Sequence, residues 1–249
     1  MGAIVNGIIL HSFTRAFCSG FLVFSDYMKP AIRMAALMNL PAIYSFSHDT
    51  IAVGEDGPTH QPIEQITTLR SIPNLNVIRP CGQTETKEAC VIAMNSKETP
   101  TFIVCTRQNV KEFRNDDSEN LTLKGAYVIS GEKEKLDAIM IASGSEVELA
   151  VGVQEELFKE GIDIRVVSMP SIFLFEKQSN EYKEALLPNN VDTFALEMSE
   201  AAHLYKYIKG KGKLFNINEF GVSGKASDVI KYFGFTKENI TNQVLKQIK

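Results

Sequence analysis

Short apolar runs rich in β-branched and aromatic residues alternate with helical patterns along this chain, and that alternation limits its fold more than any other feature. Residues 42–46, 76–78 and 101–105 are such runs, with the composition of strands. Between them, 85–94 has helical spacing and an acid in its first turn. The stretches 30–39 and 62–69 open on Pro30 and Pro62, a residue suited to a helix's first turn. Strand, helix and strand at this spacing predict right-handed crossovers in a parallel sheet. The pattern resumes near 125, with strands predicted at 137–142, 164–168, 193–197 and 214–217. Helices are predicted at 147–159, stopped by Gly161, and at 239–248. The polar, turn-rich run 113–120 separates the halves. The fold expected is α/β: two parallel or mostly parallel sheets with flanking helices, in domains at 1–117 and 118–249.

The segment from His48 to Gln61 is a polar loop leaving the carboxyl end of the 42–46 strand, where open α/β sheets place ligands. It holds two of the four histidines, the acids Asp49, Glu55 and Asp56, and two glycines, Gly54 and Gly57. Polar loops with glycine are ordinary; this density of titratable groups is not. Arg107 follows the 101–105 strand and is expected at the same edge. Phe17, Phe21, Phe24 and Tyr27 recur every three or four residues, which predicts one face of a helix over 16–27. By spacing alone that face reads as core. Ser143-Gly144-Ser145 reads as a tight turn; no Lys or second glycine supports an anion site.

Hydrophobic residues make up 44% of the chain, enough for a core. A net charge of −4 with no long basic run gives no support for nucleic-acid or anionic-membrane partners. No apolar run is long enough to span a bilayer, and the start lacks the pattern of a signal peptide. The four cysteines form no Cys-x-x-Cys pair, which favours reduced core thiols over disulfides or zinc. A cytoplasmic location is expected.

His48-Asp49, followed by Gly54-Glu55-Asp56-Gly57-Pro58-Thr59-His60-Gln61-Pro62, resembles the signature of the transketolases. Phe21, Phe24 and Tyr27 match the family's Phe-x-x-Phe-x-x-Tyr, and the likeness runs from Met1 almost to the C-terminus. It implies a thiamine-diphosphate-dependent transferase that moves a two-carbon ketol unit between sugar phosphates. Carried over residue by residue, Phe24 stacks on the aminopyrimidine ring of the cofactor, and Phe21 and Tyr27 line the same pocket. His48 serves proton transfer near the reacting carbon, and Asp56 contacts a substrate hydroxyl. His60 and Arg107 grip the sugar phosphate. His11 and His203 are read as structural.

The resemblance places Met1 at an internal methionine of the family's pyrimidine-binding domain. That domain's first strand and its cofactor-activating glutamate are therefore expected upstream. The diphosphate-binding domain, with its divalent cation (Mg²⁺ or Ca²⁺), is expected on the same longer chain or on a partner, in a homodimer. The chain alone is expected to be inactive. A subunit of a split transketolase and a non-catalytic binding or regulatory module are the alternatives. Two departures stand out. Ser12-Phe13 replaces a Gly-Gly near the pocket, and Phe220-Gly221-Val222-Ser223-Gly224-Lys225 departs from the family's Phe-Gly-x-Ser-Ala-Pro, in a domain implied to be remote from the cofactor.

Overall fold

The computed structural model describes residues 1–12, 14–116 and 118–249. Phe13 and position 117, the expected domain boundary, lie outside the described residues. The first half runs α1 (Gly2–His11), β1 (Phe17–Phe21), α2 (Ser25–Leu37), β2 (Ile43–Ser47), α3 (Gln65–Arg70), β3 (Asn76–Ile78), α4 (Gly82–Asn95) and β4 (Thr101–Val104). Its strands form one parallel sheet in the order β1-β2-β4-β3, with Phe21 level with Ser47 and Phe46 level with Val104. Tyr44, Phe46, Phe102 and Val104 point to the face covered by α1, α2 and α3. Ile103 points to the other, where Ala89 and Ala93 of α4 meet it. β3 and β4 are buried along their whole length, which is why they read as continuous apolar runs; β1 and β2 are fully buried only at alternate or fewer positions.

Three expectations are corrected. Residues 17–21 form a strand, not the start of a helix; the chain then passes through a short 3₁₀ turn, Leu22–Phe24, into α2. The regular aromatic spacing therefore spans three kinds of structure, because pairing with β2 outweighs local pattern. The helix expected from 30 begins five residues earlier, with Pro30 inside it. The helix expected from 62 begins at Gln65.

The second half runs β5 (Tyr127–Ser130), β6 (Ala138–Ala142), α5 (Glu146–Lys159), β7 (Ile164–Ser168), α6 (Ile172–Phe175), α7 (Asn180–Leu186), β8 (Asp192–Leu196), β9 (Leu214–Phe215), α8 (Ala226–Tyr232) and α9 (Lys237–Ile248). The sheet order is β5-β7-β6-β8-β9, with β5 the antiparallel member. Met140, Val166 and Phe194 pack toward α5, α8 and α9, while Ile139, Val167 and Ala195 pack toward α6 and α7. All four cysteines are free; Cys18 and Cys81 are buried, but Cys90 is exposed, against the expectation of core thiols. No helix is long and apolar enough to cross a membrane among the described residues.

Where the carboxyl ends of the two sheets face each other, buried charge joins them. Arg79, just past β3, donates from Nε to Asp49 Oδ2 at 2.9 Å and from Nη2 to Glu146 Oε2 at 2.6 Å. Its Nη1 donates to the Ser143 carbonyl oxygen at 3.2 Å and lies 3.9 Å from Glu197. Arg70 donates to both Glu197 oxygens at 2.7 and 3.0 Å. The Ser143-Gly144-Ser145 turn thus cradles a guanidinium, not an anion.

Candidate active site

Sheet order lays out the candidate site. β1 delivers Phe21 and, one 3₁₀ turn on, Phe24; β2 beside it ends at Ser47, immediately before His48; β4 next delivers Arg107. Because the strands are parallel, all of these leave at one edge. His48 adopts φ +64°, a left-handed conformation that only a few per cent of non-glycine residues take, Asn, Asp and His more often than the rest. That conformation turns the imidazole onto Phe21, with ring centroids 3.8 Å apart and planes 27° apart. Its Nδ1 lies 2.9 Å from Ser47 Oγ.

Downstream, Thr50 caps the 3₁₀ turn Ile51–Val53 by accepting from the Ala52 amide at 3.1 Å. Gly54 and Gly57 then take φ of +91° and +73°, which glycine adopts without a Cβ clash. The reversal brings His60 back to Phe24, edge to face at 5.3 Å. His60 Nδ1 lies 2.9 Å from Thr59 Oγ1. Phe21 and Phe24 stack loosely at 6.3 Å, and Tyr27 tilts against Phe24 at the same distance. Phe21 and Phe24 are 38% and 39% exposed, so each offers bare aromatic surface at this edge; Tyr27 is mostly in solvent.

Burial holds the His48 imidazole below its ordinary value, and Arg107 pushes it the same way. Asp56 and Asp49 pull against them, and His60 adds a further push downward. His48 therefore favours the neutral form, able to accept a proton, near pH 7. The same interactions place Asp56, His60 and Arg107 within electrostatic reach of His48. All seven residues singled out from the sequence lie on this side of the first sheet, Tyr27 at its outer margin.

Residues outside the predicted set hold the loop. Asp49 is fully buried on Arg79. Gln61 is also buried, its Nε2 facing three carbonyl oxygens: Ile51 at 2.9 Å, Gly54 at 3.2 Å and Val222 at 3.0 Å. Ser223 Oγ donates to the Glu55 carbonyl oxygen at 2.8 Å. The 220–225 segment, expected to matter only within a remote domain, packs directly on the loop. Its place in the sequence carried no sign of this; Asp49 and Gln61 were at least visible as polar residues within the matching stretch.

Residues 1–112 match the family model described as the transketolase pyrimidine-binding domain, and residues 125–236 match the transketolase-like C-terminal domain. A transketolase of Bacillus subtilis is 50% identical over 248 residues, covering 98% of this chain and 37% of its own length. A Campylobacter jejuni transketolase structure superposes with a TM-score of 0.92 at 39% identity, covering 99% of this chain and 38% of that one. A Pichia stipitis transketolase, solved in complex with sedoheptulose-7-phosphate, superposes with a TM-score of 0.93 at 38% identity, covering 100% and 36%. The chain spans little more than a third of the length of these relatives.

Proposed function

The chain belongs to the transketolase family, matching it through the pyrimidine-binding and C-terminal domains, and we propose that it supplies half of a site transferring a two-carbon ketol unit from a ketose phosphate to an aldose phosphate. One observation carries the reading: an aromatic wall, two imidazoles, a carboxylate and a guanidinium converge at one sheet edge. Thiamine diphosphate, when bound, supplies the carbanion chemistry for breaking and making the carbon–carbon bond.

The residues present fit the pyrimidine end of that cofactor. Phe24 exposes aromatic surface suited to offset stacking on a flat ring, and Phe21 and Tyr27 line the pocket on either side of it. His48, held toward its neutral form, accepts and returns a proton at the reacting end. Asp56 accepts from a substrate hydroxyl. His60 and Arg107 bind the phosphate, Arg107 by charge-assisted bonds. Among the described residues no group of three His, Cys, Asp or Glu side chains is placed to hold a metal ion. We assign the diphosphate and its Mg²⁺ or Ca²⁺ to a diphosphate-binding domain on a longer polypeptide or a partner chain.

The reading includes a domain boundary near 117, a cytoplasmic location and a homodimer. A coupled assay with a ketose phosphate, an aldose phosphate, thiamine diphosphate and Mg²⁺ tests the proposal. The chain alone is expected to be silent. Joined to the diphosphate-binding domain and intervening residues of a close relative, it is expected to turn over, and His48→Ala is expected to remove that activity. Undiminished turnover in the His48→Ala protein would refute the role given to His48.

A further inference from the structure

The loop from His48 to Gln61 belongs to the first sheet, yet both its ends are held from the second. At the start, Asp49 accepts from Arg79 Nε at 2.9 Å and lies 2.8 Å from Nη2. Arg79 does not choose that position alone. Its Nη2 also meets Glu146 at the start of α5, and its Nη1 meets Ser143, both beyond β6. Glu146 is fixed in turn: it accepts from the Met198 amide at 2.6 Å and from Ser145 Oγ at 2.8 Å. Asp49, Arg79 and Glu146 are all fully buried. A buried guanidinium that loses an acid partner is costly, so its position follows the acids that surround it.

At the far end, Gln61 reaches across to the Val222 carbonyl oxygen while bonding Ile51 and Gly54 of its own loop. The approach is close: a Cβ on Gly221 would stand 1.7 Å from Gln61 Oε1. Ser223 adds the bond to the Glu55 carbonyl oxygen, next to Asp56. Between these anchors lie His48, Asp56 and His60. The anchor at Asp49 adjoins His48 directly, and His48 already holds a left-handed backbone, so small shifts at Asp49 redirect the imidazole.

We propose that the second unit acts as the positioning element of the candidate active site: Glu146 and Ser143 seat Arg79 on Asp49, and Val222 and Ser223 seat Gln61 and Glu55, so that the imidazoles of His48 and His60 are aimed from across the sheet boundary. Calling the loop an active site rests on the functional reading above; its positioning does not. Glu146, Arg79, Gln61 and Ser223 are positioning residues, not groups that touch substrate.

The stacked rings provide a spectroscopic test. His48 lies over Phe21 and His60 against the edge of Phe24, so ring-current shifts of their imidazole protons report where each ring stands. The 249-residue chain, isotope-labelled and free of cofactor, is compared with Glu146→Gln, Gly221→Ala and Ser223→Ala proteins. His48→Gln and His60→Gln assign the signals. Glu146→Gln removes the negative charge and leaves one acceptor oxygen where Arg79 and the Met198 amide each use one. It is expected to move the His48 signal toward its position in a Phe21→Leu protein. Gly221→Ala is expected to move His60 and to speed amide exchange at 55–61 about tenfold, the weight of one or two lost hydrogen bonds, with exchange in β2 and β4 unchanged. If Glu146→Gln or Gly221→Ala fails to fold, Ser223→Ala decides by its effect on His60 and on the amides of Glu55 and Asp56. Folded variants whose His48 and His60 signals coincide with the parent's would overturn the proposal. Because no cofactor is present, a failure to bind thiamine diphosphate would count against the functional reading alone.

Discussion

The imidazole of His48 stacks on the ring of Phe21 with centroids 3.8 Å apart. This contact ties the β1 edge to the β2 edge at the point where the parallel strands release their side chains. It also covers one face of Phe21, which leaves Phe24 to meet the cofactor ring. Phe24→Leu keeps apolar bulk but removes the flat face. The aromatic contact is worth about 0.5–1.5 kcal/mol beyond burial, so binding of thiamine diphosphate by a reconstituted site is expected to weaken about two- to tenfold. Titration calorimetry checks this, and an unchanged affinity would place the ring elsewhere.

The left-handed backbone at His48 separates stability from function. A side chain there costs about 1 kcal/mol that glycine avoids. His48→Gly is therefore expected to melt about 2–4 °C above His48→Ala, although both lack the imidazole. Coincident thermal midpoints would mean that position 48 carries no strain.

The charges around His48 make opposite predictions. Arg107→Ala removes a neighbour that disfavours the imidazolium, so the His48 pKa is expected to rise. Asp56→Asn removes a neighbour that favours it, so the pKa is expected to fall. In the folded chain His48 titrates below its ordinary 6.5, so the unfolded chain takes up this proton first as pH drops. His48 thus subtracts stability as pH falls from 6.5 through its folded value, a window that Arg107→Ala narrows and Asp56→Asn widens. Imidazole NMR titrations read both shifts; equal directions in the two variants would contradict the geometry.

Much of this was legible from local pattern. The strand at 76–78 matches β3, and those at 42–46 and 101–105 fall within a residue of β2 and β4, because their β-branched and aromatic residues announce them in composition. β1 did not. Phe17-Cys18-Ser19-Gly20-Phe21 has no strand alternation of its own and becomes a strand by lying beside β2. His48, His60, Asp56 and Arg107 could be named because they follow strands or stand in a recognisable stretch. Arg79 could not, since one arginine before a proline signals nothing until Glu146 and Glu197 are folded against it. The same holds for Val222 and Ser223, whose partners lie far back in the chain.

A second junction predicts acid sensitivity. Glu88 of α4 accepts from both terminal nitrogens of Arg114 at 2.9 Å and from Thr122 Oγ1 at 2.7 Å. Burial pushes its carboxyl up, but these bonds outweigh burial and hold it below 4.5. Its contribution is present above the unfolded value and is lost as pH falls through the folded one. Glu88→Gln is expected to be less stable than the parent at pH 7 but to lose less stability between pH 5 and pH 3. Urea unfolding at these pH values checks this, and parallel acid losses in the two proteins would refute it.

The Arg79 cluster makes the sharpest stability prediction. It buries two guanidinium groups, Arg70 and Arg79, with three carboxylates, Asp49, Glu146 and Glu197. Arg79→Met leaves Asp49 without a cation and Glu146 without its closest one, which costs about 3–5 kcal/mol. For a chain of this size the thermal midpoint is expected to fall by about 6–20 °C. Burial of charge is itself expensive, however, so the cluster need not be the most stable arrangement. Adding Asp49→Asn and Glu146→Gln to Arg79→Met removes both stranded charges and leaves only the Arg70–Glu197 pair. That triple variant is expected to recover most of the lost stability. It is not expected to recover the His48 resonance, because nothing then draws residue 49 toward the second sheet. A triple variant that regains the parent's midpoint and also the parent's His48 signal would show that the cluster holds the units together without aiming the imidazole.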